Sequence, residues 1–456
     1  MIQKVYHVKL NKDMRVLVIF SLSILIFSTI GCSPKAYDDE AFKIYSKEQL
    51  NIWNKIVTDI MVKDIFSPPV ASRIYAYPNI TAHEILTNTD TSLVSLSNTI
   101  KHLKDIPEPQ KEKKYNFEIA AIIGFSMVAE DLVYSYDIVA HKRKVYLEKI
   151  KTFGISQEVI NNSVEYGVLV ADHIKKWANN DGYKSRNNHS QIINDKGEGT
   201  WKPTPPDFLE PIEPNWHRLR TFVIDSAGQF SSGEPTDFDT DKLSLFYKES
   251  IEVYDAVRNA STEQLEIAKF WDCNPNASTH TGHIMKFEQK ISPGAHWMLI
   301  ASHVSKKQDL GFIERARVFT FLSVTLADSF ISCWNDKYKT VVIRPETYIN
   351  RYIDKSWRPV LQTPAFPEYT SGHSVASAAS AAMLSEMLGH QTAFTDSTEV
   401  EYGLPIRSFV SFKAAAEEAA ISRLYGGIHY MPAITNGVKQ GNQIGNYISK
   451  QLIKKN

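Results

Sequence analysis

Cysteine is scarce in this chain: three in 456 residues, at Cys32, Cys273 and Cys333. So few thiols, so widely spaced, exclude a small disulfide-stapled scaffold, and Cys273 and Cys333 are expected as free core residues. An excess of either charge is missing as well, with 51 Lys plus Arg against 51 Asp plus Glu. That balance argues against a nucleic-acid partner, and a bound anion must be held by local groups instead. No repeat, low-complexity tract or long alternating strand pattern occurs. Beyond residue 32, charged side chains interrupt the apolar stretches before about 20 residues, which argues against a bundle embedded in a bilayer. What is present is apolar content of 43% and aromatic content of 11%, ample for one large core or two ordinary ones.

Those apolar residues recur mostly at helical spacing, so the expected fold is all-α. Ile52, Trp53, Ile56, Ile60 and Met61 mark one helix, and Ile74, Tyr77, Ile80 and Ile85 a second. After a proline-containing break at 106–113 the run Phe117 to Val139 reads as buried. Helices follow near Arg143 to Lys151 and Gln157 to Trp177. From Asn179 to Trp216 the chain turns polar and proline-rich, with Pro203, Pro205 and Pro206, which predicts a long ordered loop. A domain boundary is placed there, dividing an N-terminal helical region, 33–210, from a C-terminal domain, 211–456. Further helices are predicted over Thr240 to Arg258, Thr262 to Phe270, Pro293 to Lys306, Gly311 to Trp334, Gly372 to Leu388 and Phe412 to Leu424. The density of Ala and Ser after Gly372 predicts close helix approach.

The first residues carry Lys4, Lys9, Lys12 and Arg15, then the apolar run Val16 to Ile30, then Gly31-Cys32-Ser33. That order resembles a bacterial lipoprotein signal over residues 1–32. The resemblance implies export, cleavage before Cys32 and a lipid anchor on its thiol. Ser33 rather than Asp resembles proteins sorted to the outer membrane.

Three separated segments carry groups suited to a tetrahedral oxyanion. Lys337 and Arg344, read as one helical stretch, fall two turns apart on nearly the same face, with Pro345 leaving the guanidinium at a helix exit. Lys supplies a compact charge and Arg a planar fork. Ser371, Gly372 and His373 open the small-residue helix, where unpaired amides and the helix dipole favour an anion. Arg423 ends another helix, and Gly426-Gly427 allow a tight path to His429, whose neutral imidazole can supply a lone pair. His373 is placed to transfer a proton.

The order Lys337, six residues, Arg344-Pro345; Thr370-Ser371-Gly372-His373; Ser422-Arg423, five residues, His429 resembles the signature of the type 2 phosphatidic acid phosphatase and vanadium-dependent haloperoxidase superfamily. The resemblance implies helical bundles with the oxyanion site in the C-terminal one. It implies vanadate as cofactor, with hydrogen peroxide, a halide and an organic acceptor as partners, and phosphate able to occupy the same site. Lys337, Arg344, Ser371, Gly372, Arg423 and His429 would hold the oxyanion. His429 would be the axial ligand to vanadium, and His373 the acid-base residue, with Lys337 assisting activation.

Trp334 and Phe366 match aromatic positions beside vanadate in fungal-type chloroperoxidases. Asp272, or Asn274 in the Phe270-Trp271-Asp272-Cys273-Asn274 run, is the candidate support for His373. Two departures from the pattern stand out: Thr370 replaces a common Pro, and Ala433 stands where phosphatases carry an Asp that orients the axial histidine. The favoured reading is a haloperoxidase. The alternatives are a soluble phosphomonoester hydrolase that forms a phosphohistidine at His429, and a lipid-anchored oxyanion binder without turnover. His280 and His283 flank Gly282, which predicts a turn and surface histidines, not a metal pair.

Overall fold

The computed structural model describes residues 37–89, 93–188 and 197–453. The signal-like segment and Cys32 lie outside them. The architecture is mostly helical. Helices α1 (Asp39–Lys47), α2 (Gln49–Lys63), α3 (Pro68–Leu86), α4 (Phe117–Leu132), α5 (Tyr136–Lys151) and α6 (Gln157–Ala178) make up the first part. An irregular stretch then leads to α7 (Leu245–Arg258), α8 (Thr262–Phe270), α9 (Pro293–Lys307), α10 (Phe312–Thr340), α11 (Pro345–Tyr352), α12 (Gly372–Leu388), α13 (Phe412–Tyr425) and α14 (Met431–Leu452). Two short antiparallel ribbons add β1 (Ser278–Thr281) with β2 (Ile284–Phe287), and β3 (Phe394–Asp396) with β4 (Arg407–Phe409).

Local chemistry sets most helix starts. Ser156, Ser244, Ser261, Ser292, Ser371 and Ser411 each accept a backbone N–H in the following turn, satisfying donors that the helix itself leaves unpaired. At Ser261 the cap is reciprocal, because Gln264 reaches back to the Ser261 amide. The hairpin at β1–β2 turns at Gly282, whose φ of 59° is the left-handed conformation that glycine adopts freely. His280 lies in β1 and bonds Asp207, and His283 follows Gly282 in the turn; both are exposed, as expected of surface histidines.

Helix α10 is the axis of the molecule. Among the described residues it alone is long and apolar enough to cross a membrane, and 94% of that apolar window is buried inside the protein, as suits a core helix. It packs along α3 on one side and α12 on another. A single apolar cluster runs from Phe42 and Trp53 through Phe319 and Leu326 to Ile444 and Leu452, so both ends of the chain share one core. A second cluster joins Phe246, Val253, Tyr348, Ile349 and Tyr430 beneath α7 and α11.

The tightest helix pair is α12 with α14. A β-carbon added at Gly445 would stand 2.6 Å from the Ala379 carbonyl, and one at Gly437 2.9 Å from the Ser374 β-carbon. Glycine on α14 and alanine on α12 therefore let the two backbones touch, as the small-residue content predicts. This contact seats the start of α12, and with it Ser371 to His373.

Candidate oxyanion site

Helix α10 carries Lys337 in its last turn and stops at Thr340, where Val341 takes φ 50° and ψ 37°. Arg344 follows as the N-cap of α11 at φ −75° and ψ 149°. The expected shared helical face is therefore replaced by a break. Pro345 forces the preceding residue out of the helical region, and Arg344 stands at a helix entry, not an exit. The break turns the guanidinium inward. Its Nε donates to the Phe366 carbonyl at 2.8 Å, and Nη1 donates to the Ile428 carbonyl at 2.8 Å and to His429 Nε2 at 3.2 Å. Burial pulls its pKa down to about 10, against the pull of Glu368.

Lys337 is fully buried and donates its three N–H groups to the carbonyls of Pro367 (3.0 Å), Glu368 (3.1 Å) and Thr370 (2.5 Å). Burial lowers its pKa to about 8. The ammonium thus fastens the loop that leads into α12. Thr370 adds a tie, its hydroxyl donating to Gln440 Oε1 on α14 at 2.8 Å. Ser371 caps α12, with its Oγ accepting from the Ser374 amide and hydroxyl. Its own amide donates to the Ala433 carbonyl at 3.0 Å.

Arg423 lies at the end of α13 and donates to the Trp271 carbonyl at 2.7 Å and the Ala268 carbonyl at 3.3 Å. Gly427, at φ 76°, then turns the chain back. A β-carbon there would press on Val257, Pro359 and Trp357. His429 follows, and the orienting group that Ala433 does not supply comes from elsewhere: Glu368 Oε1 lies 2.8 Å from His429 Nδ1 and also accepts from the Tyr430 amide at 3.0 Å.

These contacts fix the tautomer of His429. A carboxylate at Nδ1 calls for a proton there, and the Arg344 donor at Nε2 calls for a lone pair. Burial, reinforced by Arg344, Lys337, Arg423 and His373, holds the imidazole well below the usual histidine pKa. Burial also pushes Glu368 up to about 7, opposed by Arg344 and Lys337.

His373 sits in the first turn of α12. Its ring bonds the Trp271 carbonyl, and burial, Arg423 and His296 keep its pKa well below normal. Neither predicted support reaches it. Asp272 is taken by Lys290 at 2.5 Å, and Asn274 Oδ1 accepts from the Asn276 amide at 3.1 Å. The chain after α8 turns the Trp271 carbonyl toward the site and sends the Asp272 side chain to a lysine. Trp334 and Phe366 pack at 5.1 Å between ring centres. They line, with Cys273, Asn274, His373 and His429, a cavity of about 30 Å³.

Within this site two buried polar atoms have no partner, Arg344 Nη2 and His373 Nε2. Comparison with solved structures aligns the chain with a bacterial vanadium-dependent iodoperoxidase at 45% identity and a TM-score of 0.85, covering 89% of this chain and 96% of that one. The chain belongs to the vanadium-dependent haloperoxidase family. Residues 317–455 match the family model described as the vanadium chloroperoxidase second helical-bundle domain. Two further structures share the fold, the holo and apo forms of a bacterial vanadium-dependent chloroperoxidase. They align at 15% identity and TM-score 0.66, over 92% of this chain and 98% of that one, and at 14% and 0.62, over 85% and 94%. The comparison with curated proteins returned no match.

In this haloperoxidase-family chain, sequence reasoning passed over two groups that the fold brings to the site. Glu368 was visible only as an acid inside the loop before Ser371, and nothing local marks it as the partner of a histidine 61 positions later. The Trp271 carbonyl is backbone and leaves no trace in residue type.

Proposed function

We propose that the protein is a vanadate-dependent peroxidase that oxidises a halide, iodide foremost, with hydrogen peroxide. The observation that carries this reading is the aligned row Glu368, His429, Arg344, which leaves a lone pair on a buried His429 Nε2 beside two unpaired polar atoms. Unpaired buried polar atoms are costly without a partner, and an oxyanion at the cavity would accept from Arg344 Nη2 while a hydroxyl on it would donate to His373 Nε2. The residues therefore fit vanadate. His429 Nε2, Arg344 Nη2, Arg423 and the Gly372 amide would hold it.

Vanadate, when bound, makes hydrogen peroxide a two-electron oxidant of halide. The chain supplies placement and proton control. His373, neutral with its other ring nitrogen on the Trp271 carbonyl, would take up and return a proton at Nε2. Lys337 holds the 366–370 loop in register through three carbonyls, and its charge lies 4.9 Å from the Phe366 ring centre. Trp334 and Phe366 exclude water and offer a polarisable wall to a large halide. No carboxylate backs His373, which favours iodide, the most easily oxidised of the common halides, over chloride.

The restored orienter also supports the phosphomonoester reading, because Glu368 prepares His429 Nε2 as a nucleophile just as well. One experiment separates the two. Purified protein reconstituted with vanadate is expected to oxidise iodide faster than bromide, with chloride slowest, and His429→Ala is expected to abolish the reaction. No halide oxidation, together with vanadate-inhibited hydrolysis of a phosphate ester, would assign the site to phosphoryl transfer. Failure of both reactions would leave an oxyanion binder. Export and a lipid anchor at Cys32 are part of the same proposal, and radiolabelled palmitate incorporation that disappears in Cys32→Ala is the check.

A further inference from the structure

The ring of Trp271, whose carbonyl serves His373 and Arg423, stacks on His296 at 4.5 Å. Beside that pair, three chain segments bring a thiol, an imidazole and a carboxylate together: Cys273 after α8, His296 on α9 and Glu399 after β3. Cys273 Sγ lies 3.3 Å from His296 Nδ1, that nitrogen lies 3.4 Å from Glu399 Oε1, and the same carboxylate oxygen lies 3.8 Å from Sγ. All three residues are buried.

These three separations describe one face of a tetrahedron. Around a cation with bonds of about 2.3 Å to sulfur and about 2.0 to 2.1 Å to nitrogen and oxygen, tetrahedral angles set ligand atoms roughly 3.3 to 3.6 Å apart. The sulfur–oxygen edge needs to close and the sulfur–nitrogen edge to open, each by a few tenths of an ångström on that scale. The second nitrogen of the imidazole is already committed. His296 Nε2 lies 2.8 Å from Asp396 Oδ2, and Asp396 is held in turn by the Thr398 amide and hydroxyl at 2.9 and 2.7 Å. A carboxylate on the far nitrogen of a metal-binding histidine fixes ring orientation and leaves the near nitrogen to bind.

We propose that Cys273, His296 and Glu399 form a site for a borderline divalent cation of the zinc(II) class, adjoining the oxyanion cavity that Cys273 also lines. A thiolate and an imidazole with one carboxylate select such a cation over magnesium or calcium, which take oxygen ligands alone. The bound cation joins three segments behind Trp271, whose carbonyl receives His373 and Arg423. Its role is to fasten that carbonyl, so Cys273, His296 and Glu399 are positioning residues for the oxyanion site. Without a cation the same cluster is an ion pair between a protonated His296 and its carboxylates, and the experiment distinguishes the two.

The full chain, free of vanadate, is equilibrated with zinc chloride, passed through a desalting column and assayed for metal by mass spectrometry. About one zinc per chain is expected in the unaltered protein, with retention at least tenfold lower in Cys273→Ser and in Glu399→Gln. His280→Ala is expected to retain it, which separates the site from the exposed hairpin. Cobalt(II) substitution gives a second readout that needs no variant: a thiolate-to-cobalt charge-transfer absorption in the folded protein. Absence of both stoichiometric zinc and that absorption, or zinc retained undiminished in both variants, would overturn the proposal.

Discussion

At the scale of single residues, the position of one proton on His429 governs the site. Glu368 holds the proton on Nδ1 and Arg344 meets the lone pair on Nε2. Removing the carboxylate frees the ring to change tautomer and leaves the Tyr430 amide without its acceptor. Glu368→Ala is therefore expected to weaken vanadate binding or halide oxidation by about 10- to 100-fold, the usual cost of losing such a partner. Glu368→Gln keeps an oxygen able to accept from both donors and should lose much less. Titrating vanadate into each variant, then measuring turnover at saturating vanadate, separates affinity from chemistry. If the alanine variant binds and turns over normally, the row of contacts does not tune His429.

At the scale of elements, two junctions place the site. The end of α10 at Val341 and the start of α11 at Arg344 convert a sequence spacing into an inward-facing guanidinium. The contact of α14 with α12 sets where Ser371 to His373 begin. The stripe Gly437, Gly441 and Gly445 faces α12 backbone throughout. Gly441→Ala would force a methyl group onto the Val375 carbonyl, and overpacking of that kind costs about 1 to 3 kcal/mol. A lowered denaturation midpoint is expected, with reduced vanadate affinity as the start of α12 shifts. An unchanged midpoint would mean that the helices can separate freely. Most of the helices and the small-residue face of α12 were legible in the sequence because caps, periodicity and side-chain volume are local properties, whereas α11 and α14, the partner of that face, were not predicted. The break between Lys337 and Arg344 was misread as helix: Val341, Val342 and Ile343 carry no turn signal, and their backbone bonds to the 197–201 strip replace helical ones ahead of Pro345.

At the scale of the whole molecule, a buried carboxylate joins the long irregular stretch to the core. Asp328 on α10 accepts from the amides of Phe222 (2.7 Å), Val223 (2.7 Å) and Ile224 (3.0 Å). Burial nevertheless raises its pKa to about 6, against those three amides. A folded-state pKa raised above the ordinary 3.8 means that the folded protein binds the proton more tightly. The corresponding stability is full below pH 4 and is lost as pH rises through about 6. For a shift of this size the term is roughly 3 kcal/mol. Asp328→Asn removes it and adds a pH-independent loss of acceptor strength. The diagnostic is therefore slope: between pH 4 and 6 the unaltered protein should lose stability relative to the variant, read from paired denaturation midpoints. Parallel pH profiles would show that Asp328 titrates as it does in the unfolded chain.

The sequence by itself determined the helical class and many of the helix starts, and it offered seven candidate oxyanion-site positions from Lys337 to His429, while α11 and α14 went unpredicted. Each follows from neighbours in the chain: a serine ahead of a helix, a proline after Arg344, glycines before His429. What the tertiary structure alone decided is how those groups are engaged. Glu368 replaced the missing acid at Ala433, the Trp271 carbonyl took the place expected of Asp272 or Asn274, and Lys337 turned its three N–H groups to loop carbonyls. The physical reason is that a buried donor must find an acceptor wherever the fold supplies one. Many acceptors are backbone atoms or side chains remote in sequence, and residue order does not encode which will be nearest.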